Sequence, residues 1–175
     1  MSYAVSLTSR EDLDVHKFTW PVSIGLPLLA IFIQVFASKW FGFIKFFDLP
    51  LQVTIFFAVA RRRPVPGLMT GAVIGTLQDV FASSYIGLNG IAKTMIGYLA
   101  SSLGVRIDVE NPGSRFLMTF AFCLVHRVIY MIVNLGLVSG NEPWFWGRTV
   151  AQAVANGLLS VVLFAALDRL KHRAI

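Results

Sequence analysis

The chain has 175 residues, of which 56% are hydrophobic and 14% are charged, and its formal net charge at neutral pH is +6. A soluble domain is about 45–50% apolar and about 25% charged, so this composition excludes an ordinary soluble enzyme and predicts a membrane protein. Because Lys and Arg collect on the cytoplasmic side of membrane proteins, the positive charge does not indicate a nucleic-acid partner.

Six apolar segments follow one another along the chain, and we interpret each as a membrane-spanning helix. Trp20 precedes the first segment as an interfacial anchor, and Pro27 inside that segment predicts a kink. The second segment is short for a bilayer and contains Asp48 and Pro50. The predicted segments are residues 21–37, 46–60, 64–81, 86–105, 115–139 and 149–167.

The distribution of Lys and Arg orients these helices, because cytoplasmic loops carry an excess of positive charge. With a cytoplasmic amino terminus, ten of these residues fall inside and three fall outside. We therefore predict a cytoplasmic segment at 1–20, a six-helix membrane domain at 21–168 and a basic cytoplasmic tail at 169–175. The inside residues are Arg10, Lys17, Arg61, Arg62, Arg63, Arg106, Arg115, Arg169, Lys171 and Arg173, and the outside residues are Lys39, Lys45 and Arg148.

Small residues recur at every fourth position in the third and fourth segments, so they share one face of each helix. In lipid, small residues let two helices approach closely, and overlapping GxxxG motifs therefore predict tight packing between these segments. A ligand that approaches bare backbone is the alternative interpretation. The predicted helix-packing residues are Gly67, Gly71, Gly75, Gly90, Gly97 and Ser101.

Several polar or charged side chains fall inside the predicted spans, where such groups face a bundle interior because lipid exposure is costly. The first interpretation is a structural core in which Asp79 pairs with Lys93 or Arg127. The second is a pathway for a ligand or an ion. Since two cations face one carboxylate, an anionic lipid headgroup or a partner's carboxylate would balance the surplus charge. The predicted intramembrane polar core is Asp79, Lys93, His126, Arg127 and Asn134.

The loop before the sixth segment is rich in tryptophan, which is typical of the membrane interface. Polar residues follow on one face of the sixth helix, and such residues commonly hydrogen-bond to another helix or to the span of a partner. We therefore expect a partner contact that includes Trp144, Trp146, Arg148, Gln152 and Asn156.

The sequence contains none of the common motifs of soluble enzymes. There is no HExxH, no Walker loop, no CxxC and no paired-carboxylate motif. The three histidines are scattered, and a histidine alone on an apolar helix is more often a buried hydrogen-bonding residue than a ligand. The sequence therefore predicts a protein that is not an enzyme, with no catalytic residue, no metal site and no cofactor.

Four short motifs between residues 45 and 105 occur together in one known family. They are an early Asp-Leu at Asp48, a glycine-rich third span that ends at Asp79, a Gly-Leu turn at Gly87, and Gly-Tyr-Leu at Gly97 in the next span. With these motifs the chain resembles the rod shape-determining protein MreD family, and outside them it agrees with that family in topology. The departure is at 76–79, where the family has a glycine closer to the aspartate.

The resemblance implies an all-α polytopic membrane protein with six transmembrane helices in one bundle, similar to the substrate-binding subunits of energy-coupling-factor transporters. It implies a location in the bacterial inner membrane, where the charge pattern predicts both termini in the cytoplasm. It also implies a scaffold of the rod-shape (elongation) complex that binds the single-span protein MreC and supports peptidoglycan synthesis by the RodA–PBP2 synthase. Membrane lipids are the other expected partners.

The alternative function is the substrate-binding subunit of a small-molecule, vitamin-type transporter. The same bundle would then hold a ligand in an outward cavity near Asp79, Asn89 and Lys93. Such subunits often carry an Ala-x-x-x-Ala pattern in the first helix, but Ala30 and Ala37 are seven residues apart here. The scaffold is therefore the preferred hypothesis.

Overall fold

The computed structural model describes residues 19–83, 85–105, 107, 111–138 and 145–170, and this part of the chain is helical with no β-strand. The predicted all-α class is confirmed. The predicted terminal segments at 1–20 and 169–175 lie mostly outside the described residues. The helices are α1 Trp20–Trp40, α2 Leu49–Arg61, α3 Pro64–Phe81, α4 Leu88–Leu103, α5 Pro112–Leu137 and α6 Trp146–Leu167.

The chain between α1 and α2 is irregular. Helix α1 continues through Pro27 and widens into a π turn at Ile33–Ala37, and a 3-10 turn follows at Gly42–Phe46. A π turn is rare in proteins, and the π turns that do occur inside helices are often found at functional positions. Because the 3-10 turn precedes α2, the predicted second segment at 46–60 is wrong at its start, and its α-helix begins only at Leu49.

Local chemistry fixes both ends of α2. The carboxylate of Asp48, at the N-cap, accepts a hydrogen bond from the backbone N–H of Leu51, and Pro50 occupies the first turn. At the other end Arg62 adopts a left-handed conformation with φ of 50°, which stops the helix. The 13 residues of α2 are about 20 Å long, which is shorter than the roughly 30 Å hydrocarbon core of a bilayer.

Helix α2 is the centre of the fold. Every residue from 50 to 60 is buried, and Ile55 and Phe57 have no exposed surface. A helix that is buried all round needs other helices on every side. Helices α1, α3 and α4 contact it, and the ring of Phe56 lies 5.5 Å from that of Phe164 in α6, measured between ring centres.

Helices α3 and α4 make the most extensive helix–helix contact in the described chain. A Cβ atom added to Gly67 of α3 would overlap the carbonyl oxygen of Gly97 in α4. A Cβ atom added to Gly71 would overlap the carbonyl oxygen of Lys93. Gly75 approaches the α4 backbone in the same way, one turn further along. The two backbones therefore touch directly, at a spacing that only glycine permits.

The other two members of the predicted packing set lie at the same contact. A Cβ atom added to Gly90 would meet the hydroxyl of Thr76, which is the end of a side chain and not backbone. Ser101 is fully buried beside Gly67, and its hydroxyl donates a hydrogen bond of 2.8 Å back to the carbonyl of Gly97. All six residues are therefore found where α3 meets α4.

Two charged side chains are fully buried, and many large apolar side chains are exposed. Asp79 and Lys93 have no exposed surface, whereas Leu137 and Val162 are about seven-tenths exposed, at 71% and 70%. Among the described helices, α1, α5 and α6 are long and apolar enough to cross a membrane, and α2 is apolar but shorter. A large outward apolar surface of this kind is what lipid covers in a membrane protein.

We predict that Gly71→Ala destabilises the protein, because the new methyl group would collide with backbone, which cannot rotate away as a side chain can. Overpacking of this kind costs about 1–3 kcal/mol. The measurement is the melting temperature of the purified protein in detergent, compared with that of Gly136→Ala. Gly136 lies near the end of α5 and an added Cβ there would meet nothing within 4 Å. Equal melting temperatures for the two variants would contradict the backbone contact.

Candidate functional site

Lys93 is the most deeply buried cation of the described chain, with 0% of its side chain exposed. Its Nζ lies 2.9 Å from Oδ2 of Asp48, 3.3 Å from Oδ1 of Asn89 and 3.4 Å from Nε2 of His126. An ammonium has three N–H donors and no acceptor, so each donor has one partner. Because Lys93 can only donate, Nε2 of His126 accepts, and the neutral ring carries its proton on Nδ1.

The partner of Lys93 corrects the sequence prediction. Lys93 forms its ion pair with Asp48, at the start of α2, and not with Asp79. The two oxygens of Asp48 divide their roles, since Oδ2 faces Lys93 and Oδ1 caps α2 at the N–H of Leu51. A single carboxylate therefore starts the central helix and neutralises the buried ammonium.

Asp79 is fully buried, but it neutralises a helix end instead of a side chain. It accepts hydrogen bonds from the backbone N–H groups of Gly87, Asn89 and Gly90 at 2.9, 3.1 and 3.1 Å. These are the first N–H groups of α4, which have no partner within the helix and give its amino end a partial positive charge. The predicted pairing of Asp79 with Lys93 or Arg127 is therefore wrong, because α4 itself supplies the donors.

Asn89 connects the two buried charges. Its side-chain Nδ2 donates to Oδ1 of Asp79 at 2.8 Å, and its Oδ1 accepts from Lys93. The result is a continuous hydrogen-bonded chain from Asp79 through Asn89 and Lys93 to Asp48 and His126. In a low-dielectric interior such a network is stable only when its members are satisfied, and these pairings meet that condition.

Arg127 and Asn134, also predicted for the polar core, lie outside this chain of hydrogen bonds. Arg127 is half-buried on α5, with its guanidinium 5.9 Å from the centre of the Tyr130 ring. Asn134 is buried on the same helix, eight residues beyond His126 and therefore about 12 Å along the axis. The structure thus joins three of the five predicted core residues and separates these two from them.

Two polar residues hold the irregular loop that carries Asp48. Asn156 of α6 accepts a hydrogen bond from the backbone N–H of Asp48 at 3.0 Å and donates one to the carbonyl of Phe46 at 3.1 Å. Gln34, in the π turn of α1, accepts from the N–H of Leu49 at 3.1 Å. The loop is therefore fixed from both sides, which places the Asp48 carboxylate at Lys93.

The predicted partner contact divides into exposed and buried residues. Trp146 and Arg148 are exposed at the start of α6, and Gln152 is half-buried one turn further on. Asn156 is buried and bonded inside the protein, so in this structure it is not available to a partner. Trp144 lies outside the described residues.

A polar cavity of about 270 Å³ lies beside the Lys93 network. Its walls come from the loop before α2, the end of α3 and the starts of α4 and α6, together with the middle of α5. Its polar lining residues are Gln34, Lys45, Asp48, Gln78, Asn89, His126, Arg127, Tyr130, Thr149, Gln152 and Asn156. Within the described residues, no three His, Cys, Asp or Glu side chains are grouped as a metal ion requires.

The opposite end of the molecule is basic and has no part in the cavity. Arg115, at the start of α5, forms an ion pair with Asp168, just after α6. Arg61, at the end of α2, donates to the hydroxyls of Ser23 and Thr70 at 3.1 and 3.2 Å. The structure therefore has one end rich in arginine and another that carries the polar cavity.

The helical architecture, the three long apolar helices and the buried charges are typical of a membrane protein. The family model of the rod shape-determining protein MreD matches residues 16–171 of the chain, which is nearly all of it. The chain therefore belongs to the MreD family, and the resemblance predicted from four motifs is confirmed over a longer stretch. No curated protein and no solved structure matches it.

Sequence reasoning did not assign a role in the polar core to Asp48, Asn89 or Gln34. The signal for Asp48 was present, because an aspartate directly before Leu-Pro is typical of a helix N-cap. That pattern predicts only the bond to the backbone of α2. The second bond, to Lys93, joins residues 45 positions apart and depends on the tertiary fold.

We predict that Asp48→Asn is more destabilising than Lys93→Met, and that the double variant is close to Lys93→Met alone. Removing the carboxylate leaves a fully buried ammonium unpaired, which costs about 3–5 kcal/mol. Removing the ammonium leaves a carboxylate whose side chain is still 25% exposed. Melting temperatures of the four proteins in detergent form the double-mutant cycle. Additive losses would contradict the ion pair.

Proposed function

We propose that this chain is a non-enzymatic scaffold of the rod-shape (elongation) complex in the bacterial inner membrane. In that role it binds MreC and supports peptidoglycan synthesis by the RodA–PBP2 synthase, and thereby maintains cell shape. The observation that carries the proposal is the match to the MreD family over nearly the whole chain. The interior supports it as well, because its buried charges are used in pairing helices and loops.

The proposed topology has all six helices crossing the membrane as one bundle, with both termini in the cytoplasm. The arginines at the end of α2 and at the start of α5 support this orientation, since positive charge favours the cytoplasmic side. Of the three shorter helices, α2 is buried among the others, so a bundle with a short centre is our interpretation. The likeness to energy-coupling-factor binding subunits remains part of this proposal.

The proposed mechanism is lateral docking of the single MreC span on an apolar face of the bundle. The start of α6 is the proposed anchor, because Trp146 and Arg148 are exposed there, at the end of the molecule that carries the cavity. Aromatic and arginine side chains supply a large share of the binding energy in protein interfaces.

The polar cavity supports a second candidate function, the substrate-binding subunit of a vitamin-type transporter. Ligand sites in helix bundles lie between helices and combine a concave surface with a few convergent polar groups. Asp48 and Asn89 line this cavity, but both already bond within the protein. Native mass spectrometry that finds a vitamin retained one-to-one would favour this candidate over the scaffold.

An epitope-tagged form of this chain is expected to co-purify with MreC in mild detergent. The double variant Trp146→Ala/Arg148→Ala should lower the recovered MreC by about tenfold or more, because both side chains would be lost from the interface. The matched control is Trp40→Ala, which removes an exposed tryptophan near the same end but on α1. If the unchanged protein does not recover MreC under conditions that still recover the RodA–PBP2 pair, the result would count heavily against the scaffold.

A further inference from the structure

An apolar groove lies on the surface of the described chain, between the second half of α1 and the end of α3. Its volume is about 360 Å³, which is within the usual range for small-molecule sites. The groove is open, because most of the large apolar side chains that line it are between 42% and 58% exposed. Its lining includes Leu28, Leu29, Phe32, Val35 and Phe36 of α1 and Phe81 of α3.

The groove has nearly the depth of one leaflet of a bilayer. Its lining residues on α1 extend from Leu28 to Phe36, which is about 12 Å at the rise of an α-helix. Half of the hydrocarbon core of a bilayer is about 15 Å thick. Val35 and Phe36 belong to the π turn, which is a feature often found at functional positions. An apolar groove of this depth, on a helix long enough to cross a membrane, matches the space that one lipid acyl chain occupies.

A lysine lies at one end of the groove. The Nζ of Lys39 is 5.3 Å from the centre of the Phe36 ring, which is a cation–π contact, and the Phe36 ring is stacked on that of Phe32. The neighbouring side chain of Trp40 is 85% exposed, and an exposed tryptophan at a helix end is typical of the membrane interface. The ammonium of Lys39 is therefore held at the end of the apolar groove, at the level where lipid headgroups lie.

Lys39 has no carboxylate beside it in the described chain. Residues 19–47 include two lysines and no Asp or Glu, and Lys39 makes neither a hydrogen bond nor an ion pair with any described residue. The nearby carboxylates have other partners, since Asp48 pairs with Lys93 and Asp79 binds backbone N–H groups of α4. A lipid phosphate supplies the negative charge that complements such an ammonium.

We infer that this groove binds one anionic phospholipid, with an acyl chain between α1 and α3 and the phosphate at Lys39. The apolar lining and its depth fit the acyl chain, and the unpaired ammonium at its end fits the headgroup. The inference rests on the membrane location of the chain and requires neither the scaffold role nor MreC. Phosphatidylglycerol is the probe, because it combines acyl chains with a phosphate of net negative charge.

The test uses the purified full-length chain in neutral detergent after its lipids have been removed. The ligands are phosphatidylglycerol and the matching diacylglycerol, which has the same acyl chains but no phosphate. Phosphatidylglycerol is expected to raise the melting temperature and to remain bound at one lipid per chain in native mass spectrometry. Diacylglycerol is expected to bind about tenfold more weakly, because the charge-assisted hydrogen bond to the phosphate is lost.

Two variants test the two halves of the site. Leu29→Trp should weaken phosphatidylglycerol binding by about tenfold or more, because the larger side chain fills the groove. Leu29 is 55% exposed, so this variant should fold, and Ile24→Trp is its matched control at 54% exposure on the same helix but outside the groove. Lys39→Gln should weaken binding of phosphatidylglycerol but not of diacylglycerol. Lys45→Gln is the control for charge, since Lys45 lines the polar cavity and not the groove.

Several outcomes would overturn the inference. These are equal binding of the two lipids, binding that does not saturate at one lipid per chain, and lipid binding by Leu29→Trp or Lys39→Gln as tight as that of its control. Another is a Leu29→Trp variant that binds lipid normally but recovers less MreC, or loses a dimer of this chain. That result would assign the groove to the membrane span of a protein instead of a lipid.

Discussion

Burial of the Lys93 ammonium is the constraint on which the rest of the interior depends. A charge with no exposed surface must have a carboxylate beside it, and that carboxylate is Asp48. Asp48 can reach it only because the chain before α2 leaves the helical path, and Gln34 and Asn156 hold that irregular stretch in place. The central helix therefore starts deep in the protein, and the space above its start is the polar cavity.

The contact between α3 and α4 lies directly beside the polar network of Lys93. Gly71 lies against the backbone carbonyl of Lys93, and Gly75 lies against that of Asn89. The side chains of these two residues of α4 belong to the polar network, and that of Asn89 reaches Asp79 of α3. The close backbone contact thus brings Asn89 of α4 within hydrogen-bond distance of Asp79 of α3.

The features that the sequence alone predicted are local in origin. Helical class, apolar segments and the common face of the α3 glycines follow from spacing along one helix, where residues four apart always share a side. The pairing of charges does not follow from spacing. Asp79 and Lys93 are only 14 residues apart in the sequence. The carboxylate of Asp79 nevertheless accepts hydrogen bonds from the backbone N–H groups of Gly87 and Gly90, and not from Lys93. The start of α2 at Leu49 is a local feature too, because Asp48 caps the helix and Pro50 lies in its first turn, but hydropathy alone does not show it.

The direct backbone contact between α3 and α4 has a mechanical consequence. Side chains that interdigitate can change rotamer and let two helices slide, but a contact made by glycine Cα atoms and carbonyl oxygens has no such freedom. These two helices are therefore expected to move together. A conformational change is then expected where side chains make the contacts, at α1 or at the α5–α6 pair.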